Sequence, residues 1–137
     1  RTRVHGQGSR DAADARPGER SDGFDAVLVD VPCSNSGVIA RRPEARLDRG
    51  AVKLESLHAL QLRILSDAAA AVREGGRLVY STCSIDADEN EEIVSAFVRA
   101  QRGWTVEASE LTLPRWGAAK ADWRDGGYAV RLRRGSP

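Results

Sequence analysis

The feature that most constrains this chain is the run Asp25-Ala26-Val27-Leu28-Val29-Asp30-Val31, apolar and β-branched through its middle with no polar residue alternating between the aliphatic ones. A half-buried strand alternates with a period of two; a continuous run of this length suits a strand covered on both faces, as in a parallel sheet. Pro32 removes a backbone donor and ends it. A parallel partner cannot be reached by a tight turn, so the chain needs a crossover helix and a second strand downstream.

Both are legible. Between about Ala51 and Arg73, Leu54, Leu57, Leu60, Ile64, Leu65, Ala68 and Val72 recur at spacings of three and four, the stripe of an amphipathic helix. Gly75 and Gly76 are read as its stop. Residues 77 to 82, RLVYST, make a second strand. The segment ADENEEIVSAFVRAQRG then places Ile93, Val94, Phe97 and Val98 on one helical face, with Asp86 and Glu89 spaced as a capping box. Gly103 closes that helix, and alternating stretches follow at Trp104 to Ala108 and at Tyr128, Val130 and Leu132. The order β, α, β, α, β, β predicts an α/β domain with its first three strands parallel, helices packed on the sheet, and a final antiparallel strand.

Residues 1 to 22 hold one large aliphatic, Val4, and read as a leader or disordered loop with a weak strand near Thr2 to His5; residues 23 to 137 form the folded unit. The chain has no methionine and starts at Arg1, which is expected of a piece of a longer protein. No apolar run approaches the roughly 20 residues that span a bilayer, and no secretion signal opens the sequence, so a cytoplasmic protein with no membrane partner is expected. With 21 basic and 20 acidic residues there is no bulk positive field, and any nucleic-acid contact must be local. Two cysteines cannot build a disulfide framework, and Cys33, Cys83, His5 and His58 lack the close pairing of a four-ligand metal site.

Ligands of open α/β sheets gather beyond the carboxyl ends of the parallel strands. Cys33 lies two residues after the first strand and Cys83 one residue after the second, so adjacent strands bring both thiols to one rim. The helix following Cys83 favours its thiolate, while Asp86, Asp88 and Glu89 oppose that. The plain alternative is two small buried hydrophobes.

The wording around the cysteines goes further. Asp30-Val31-Pro32-Cys33-Ser34-Asn35-Ser36-Gly37-Val38, then Arg41-Arg42-Pro43-Glu44, then Tyr80-Ser81-Thr82-Cys83-Ser84-Ile85 with Glu89-Asn90-Glu91, closely resembles the Sun (Fmu) family of RNA cytosine-5 methyltransferases. The resemblance runs from about Phe24 to the end, closing on DGGYAVRLRR. It implies the C-terminal half of a Rossmann-like, S-adenosylmethionine-dependent catalytic domain acting on RNA, with ribosomal RNA the expected partner. It assigns attack on carbon 6 of cytosine to Cys83, product release to Cys33, and a place beside the cofactor and the cytosine edge to Asp30. Arg41 and Arg42 suit phosphate contacts. Of the tryptophans, Trp104 is expected in the core, while Trp116 and Trp123 are open to base stacking.

The family's glycine-rich cofactor loop belongs to earlier strands; GQGSRD follows no convincing strand and opens no amphipathic helix. This piece alone is therefore expected to be inactive. The rival readings are an RNA-binding or interaction module without catalysis, and a methyltransferase of another substrate.

Overall fold

A computed structural model describes the backbone of residues 4–6, 23–48 and 51–135. The leader reading of residues 1 to 22 and the GQGSRD loop therefore lie outside the described residues, apart from strand β1 (Val4–Gly6). The remaining elements are β2 (Phe24–Asp30), α1 (Ala51–Ala70), β3 (Val72–Thr82), α2 (Glu91–Ala100), β4 (Trp104–Thr112) and β5 (Gly127–Arg134).

They form a five-stranded sheet in the order β1-β2-β3-β5-β4. β2 and β3 are parallel, joined through α1, with Val29 opposite Tyr80 and Asp30 opposite Ser81. β5 is antiparallel to both of its neighbours, β3 and β4, so β2, β3 and β4 share one direction as the sequence predicts. The last strand in sequence is inserted between β3 and β4 rather than added at an edge. The result is a mixed α/β sheet, a fragment of a Rossmann-like fold.

The core lies between the sheet and the two helices. Val27, Val29, Leu78, Tyr80, Val130 and Leu132 point from the strands toward Leu65 of α1 and Phe97 of α2. Phe97 meets Trp104 with ring centroids 5.5 Å apart, which places Trp104 in the core as expected.

Three expectations are corrected. The run in β2 is covered on one face only: Val27 and Val29 are buried, but Leu28, on the opposite face, is 39% exposed. The β-branched composition that suggested two covered faces is satisfied by strand propensity with one. Helix α1 stops at Ala70, and Val72, read as part of its stripe, is the first residue of β3 and pairs with Phe24. Gly75, at φ +70°, and Gly76 sit in an irregular stretch of β3, where the register slips between Phe24 and Ala26. A β-carbon on Gly76 would meet Val72 Cγ1 at 2.7 Å. Finally, Asp86 and Glu89 form no capping box. α2 begins at Glu91, and the Glu89 side chain is turned inward.

Candidate functional site

β2 and β3 end side by side, and the segments that follow them build the site. Val31 N–H donates to Ser81 O at 3.1 Å, carrying the pairing one residue past β2. Pro32 then takes the chain out of the sheet and brings Cys33 across toward β3. Asn35 adopts a left-handed conformation, φ 62°, which Asn tolerates better than most side chains and which reverses the loop. Gly37 is held from both sides: its N–H donates to Cys83 O at 2.9 Å, and its carbonyl accepts from Gly126 N–H at 2.8 Å. A β-carbon there would lie 2.4 Å from Gly126 O and 2.7 Å from Cys83 O, so no other residue fits without moving backbone.

The second cysteine segment is fixed by its own turn. Thr82 Oγ1 donates to Asn90 Oδ1 at 2.7 Å and accepts from Ser84 N–H at 3.1 Å, while Asn90 Nδ2 donates to Ser84 O at 3.0 Å. Ser36 Oγ accepts from Ile85 N–H at 2.9 Å, tying the two segments together. Buried polar groups of this kind specify geometry because each is costly unless paired.

The two sulfurs meet. Cys33 Sγ and Cys83 Sγ are 2.8 Å apart, both thiols are free and half-buried, and Cys83 Sγ also donates to Asn35 Oδ1 at 3.1 Å. Asn35 is held for that contact by its Nδ2, which donates to Cys33 O at 3.1 Å. The pair is electrically asymmetric. The S–H of Cys33, donated to Cys83, together with burial, holds the Cys33 thiol far above its ordinary range. The same hydrogen bond pulls the Cys83 thiol down; burial and the Asp30 charge oppose this, and the Arg42 charge assists. Cys83 is thus the sulfur that loses its proton first.

Asp30, Cys33, Cys83, Arg41 and Arg42 all line one cavity of about 640 Å³. That volume lies in the range of small-ligand sites. Asp30 stands at its wall, exposed, with Oδ1 accepting from Ser81 Oγ at 2.9 Å. Arg41 Nε pairs with Asp125 Oδ1 at 3.2 Å, which brings the segment before β5 onto the cavity rim. Trp116 and Trp123 are half exposed and stand edge to face, 5.4 Å between centroids.

Sequence reasoning passed over Asn35, Asp125, Gln61 and the inward role of Glu89. Gln61 is fully buried while Leu60, placed on the helix stripe, is 42% exposed. The reason is chemical: Gln61 Nε2 donates to Pro32 O at 2.9 Å and to Glu89 Oε1 at 3.0 Å, so α1 turns a polar residue inward. The available signal was the wording Glu89-Asn90-Glu91 six residues after Cys83.

Comparison with known proteins shows the family of the chain. The family model described as 16S rRNA methyltransferase RsmB/F matches residues 6–123. A probable ribosomal RNA small subunit methyltransferase B of Bacillus subtilis (strain 168) is 40% identical over 114 residues, 82% of this chain and 25% of that protein. The multisite-specific tRNA:(cytosine-C(5))-methyltransferase trm4b of Schizosaccharomyces pombe is 45% identical over 80 residues, 58% of this chain and 12% of that protein. Among solved structures, NSun6 from Pyrococcus horikoshii with SFG superposes with a TM-score of 0.59 at 26% identity, covering 80% of this chain and 30% of that one. The chain spans about a quarter of the length of its Bacillus relative. With its sheet, its paired thiols and these matches in hand, the chain belongs to the RsmB/F family of 16S rRNA methyltransferases.

Proposed function

We propose that this chain is the C-terminal half of a catalytic domain which, in the longer protein, transfers a methyl group from S-adenosylmethionine to carbon 5 of a cytosine in RNA, ribosomal RNA being the substrate class. The observation that carries this reading is the thiol pair, 2.8 Å between sulfurs, on one cavity with Asp30 and Arg42.

Carbon 5 of cytosine is too weak a nucleophile to accept a methyl group unaided. The Cys83 thiolate adds to carbon 6, forming a C–S bond and pushing the ring's electron pair toward carbon 5. Bound S-adenosylmethionine supplies an electrophilic methyl group. Asp30 fits both needs of that arrangement: its carboxylate suits the positive charge of the donor and accepts from the exocyclic amine of the base. After transfer, Cys33 gives its proton to the departing Cys83 sulfur. The thiolate left on Cys33 takes the proton from carbon 5; the C5–H electrons become the C5=C6 bond as the C6–S bond breaks. The pair then holds one proton more than at the start, the one from carbon 5, and Cys83 releases it to solvent to regain its thiolate. Arg41 and Arg42 contact phosphates flanking the base.

The described residues bring Asp30 and Asp125 to the cavity but no glycine-rich loop, so the isolated chain is expected to transfer no methyl group. SFG, an S-adenosylmethionine analogue, in the NSun6 structure from Pyrococcus horikoshii supports the choice of donor. Free thiols suit a reducing compartment such as the cytoplasm.

The test uses the longer protein and RNA carrying 5-fluorocytosine, whose fluorine cannot leave as a proton does. A stalled covalent adduct mapped to Cys83 by mass spectrometry is expected, and none with C83A. Methyl transfer that survives C83A would overturn the reading.

A further inference from the structure

Among the described residues Glu89 is the one fully buried carboxylate. Its Oε1 accepts from Ser34 N–H at 2.8 Å and from Gln61 Nε2 at 3.0 Å, and its Oε2 accepts from Ser34 Oγ at 2.5 Å. All three donors are neutral. An ionised carboxylate is costly to bury and is tolerated only with several good hydrogen bonds; an apolar residue of the same volume would often be as stable. What the group holds is therefore more informative than what it contributes to stability.

It holds the residues on either side of Cys33. Ser34 is gripped directly, through both its backbone and its hydroxyl. Pro32 is gripped through Gln61, whose Nε2 donates to Pro32 O at 2.9 Å as well as to Glu89. Residues 31 to 35 belong to no helix or strand, so these bonds define where Cys33 stands. Glu89 is itself anchored on the Cys83 side: Tyr80 Oη donates to its carbonyl at 2.6 Å, and its N–H donates to Asp86 O at 3.2 Å. One side chain thus spans the two cysteine segments.

We propose that Glu89 is a positioning residue that fixes the Cys33 sulfur against the Cys83 sulfur. Its importance to methyl transfer rests on the function proposed above; the positioning itself does not. Glu89 acts by reach rather than by charge. A glutamine of the same length keeps an oxygen for Ser34 N–H and Gln61, and its amide can donate to Ser34 Oγ, which has Asp86 Oδ2 at 3.4 Å as an alternative acceptor. Aspartate keeps the charge and falls short by one methylene.

The experiment is thiol–disulfide exchange of the full chain with glutathione. Two protein thiols are oxidised to one Cys33–Cys83 disulfide while glutathione disulfide takes up both electrons and is released as two thiols. The equilibrium constant reads how closely the fold holds the two sulfurs, independently of any methyl transfer. The parent chain is expected to form the disulfide, seen as a loss of two hydrogens in the mass spectrum, and C33A to form none. E89A and E89D should lower the constant by about tenfold or more, roughly 30 mV for this two-electron couple, while E89Q stays within about threefold of the parent. Thermal melting identifies which variants are folded; if E89A does not fold, E89D and S34A carry the comparison. A folded E89A or E89D with a constant within about twofold of the parent would overturn the proposal, as would E89Q falling as far as E89D, or a parent chain that forms no disulfide. Failure of the 5-fluorocytosine adduct with the exchange result intact removes the methyltransferase reading and leaves the positioning role.

Discussion

Cys33 and Cys83 have the same side chain and different proton affinities, because one donates the hydrogen bond that the other accepts. Replacing the donor tests this. In C33A the remaining influences on Cys83 are burial and Asp30, which raise its pKa, and the smaller opposing pulls of its own backbone hydrogen bond and of Arg42. The thiolate fraction at pH 7 falls, and alkylation of Cys83 by iodoacetamide should slow about tenfold or more, its pH midpoint moving up. Asn35 works in the opposite sense, since its Oδ1 accepts the S–H of Cys83 and so favours the protonated form. Asn35→Gly keeps the left-handed backbone, and the midpoint should move down, with a gain of about threefold in rate at pH 7. Both are measured on the same folded chain. At this scale the cysteines and Asp30 were legible because strand ends and a specific wording marked them. Asn35, Gln61 and Glu89 were not: each acts on a group far away in sequence, 48 positions for Asn35 and Cys83, 55 for Ser34 and Glu89, and no local period encodes such a partner.

Helices and strands were read from their apolar periods, and the errors fall where a period was decided by something else. Val72 continues the stripe of α1 on paper, but a β-branched residue opposite Phe24 serves equally well as the start of β3, and the pairing decides. The single covered face of β2 gives a clean test. Val29→Asp buries a charge among Leu65 and Tyr80 and should unfold the chain or cost at least about 3 kcal/mol, whereas Leu28→Asp on the open face should cost less than about 1 kcal/mol by urea titration. On the same open face Glu107 gathers three arginines from two strands: Arg77 at 3.0 Å, Arg131 at 2.8 Å and Arg133 at 3.6 Å. Their hydrogen bonds and charges, Arg77 first, hold the Glu107 carboxyl below the usual range. Its stabilising effect is present above the unfolded pKa and is lost as pH falls through the folded one. E107A leaves three like charges adjacent, and its melting temperature should drop more in 10 mM salt than in 1 M salt.

Across the whole molecule, the sequence carried the fold class and the common direction of β2, β3 and β4, since crossover connections allow little else. It did not carry the place of β5. A strand that arrives after a long connection can join an edge or enter between neighbours, and only the pairing of Tyr80 with Val130 and of Ser109 with Val130 settles it. Among the described residues no helix is long and apolar enough to cross a membrane. Because β5 is the sole hydrogen-bonded neighbour of β4 among the described residues, β4 has no described strand to pair with until Gly127–Arg134 has left the ribosome. Translation thus completes β2 and β3, the strands that lead into the two thiol segments, first, and a nascent chain stalled before Gly127 would expose the inner edge of β3 to whatever strand is nearest.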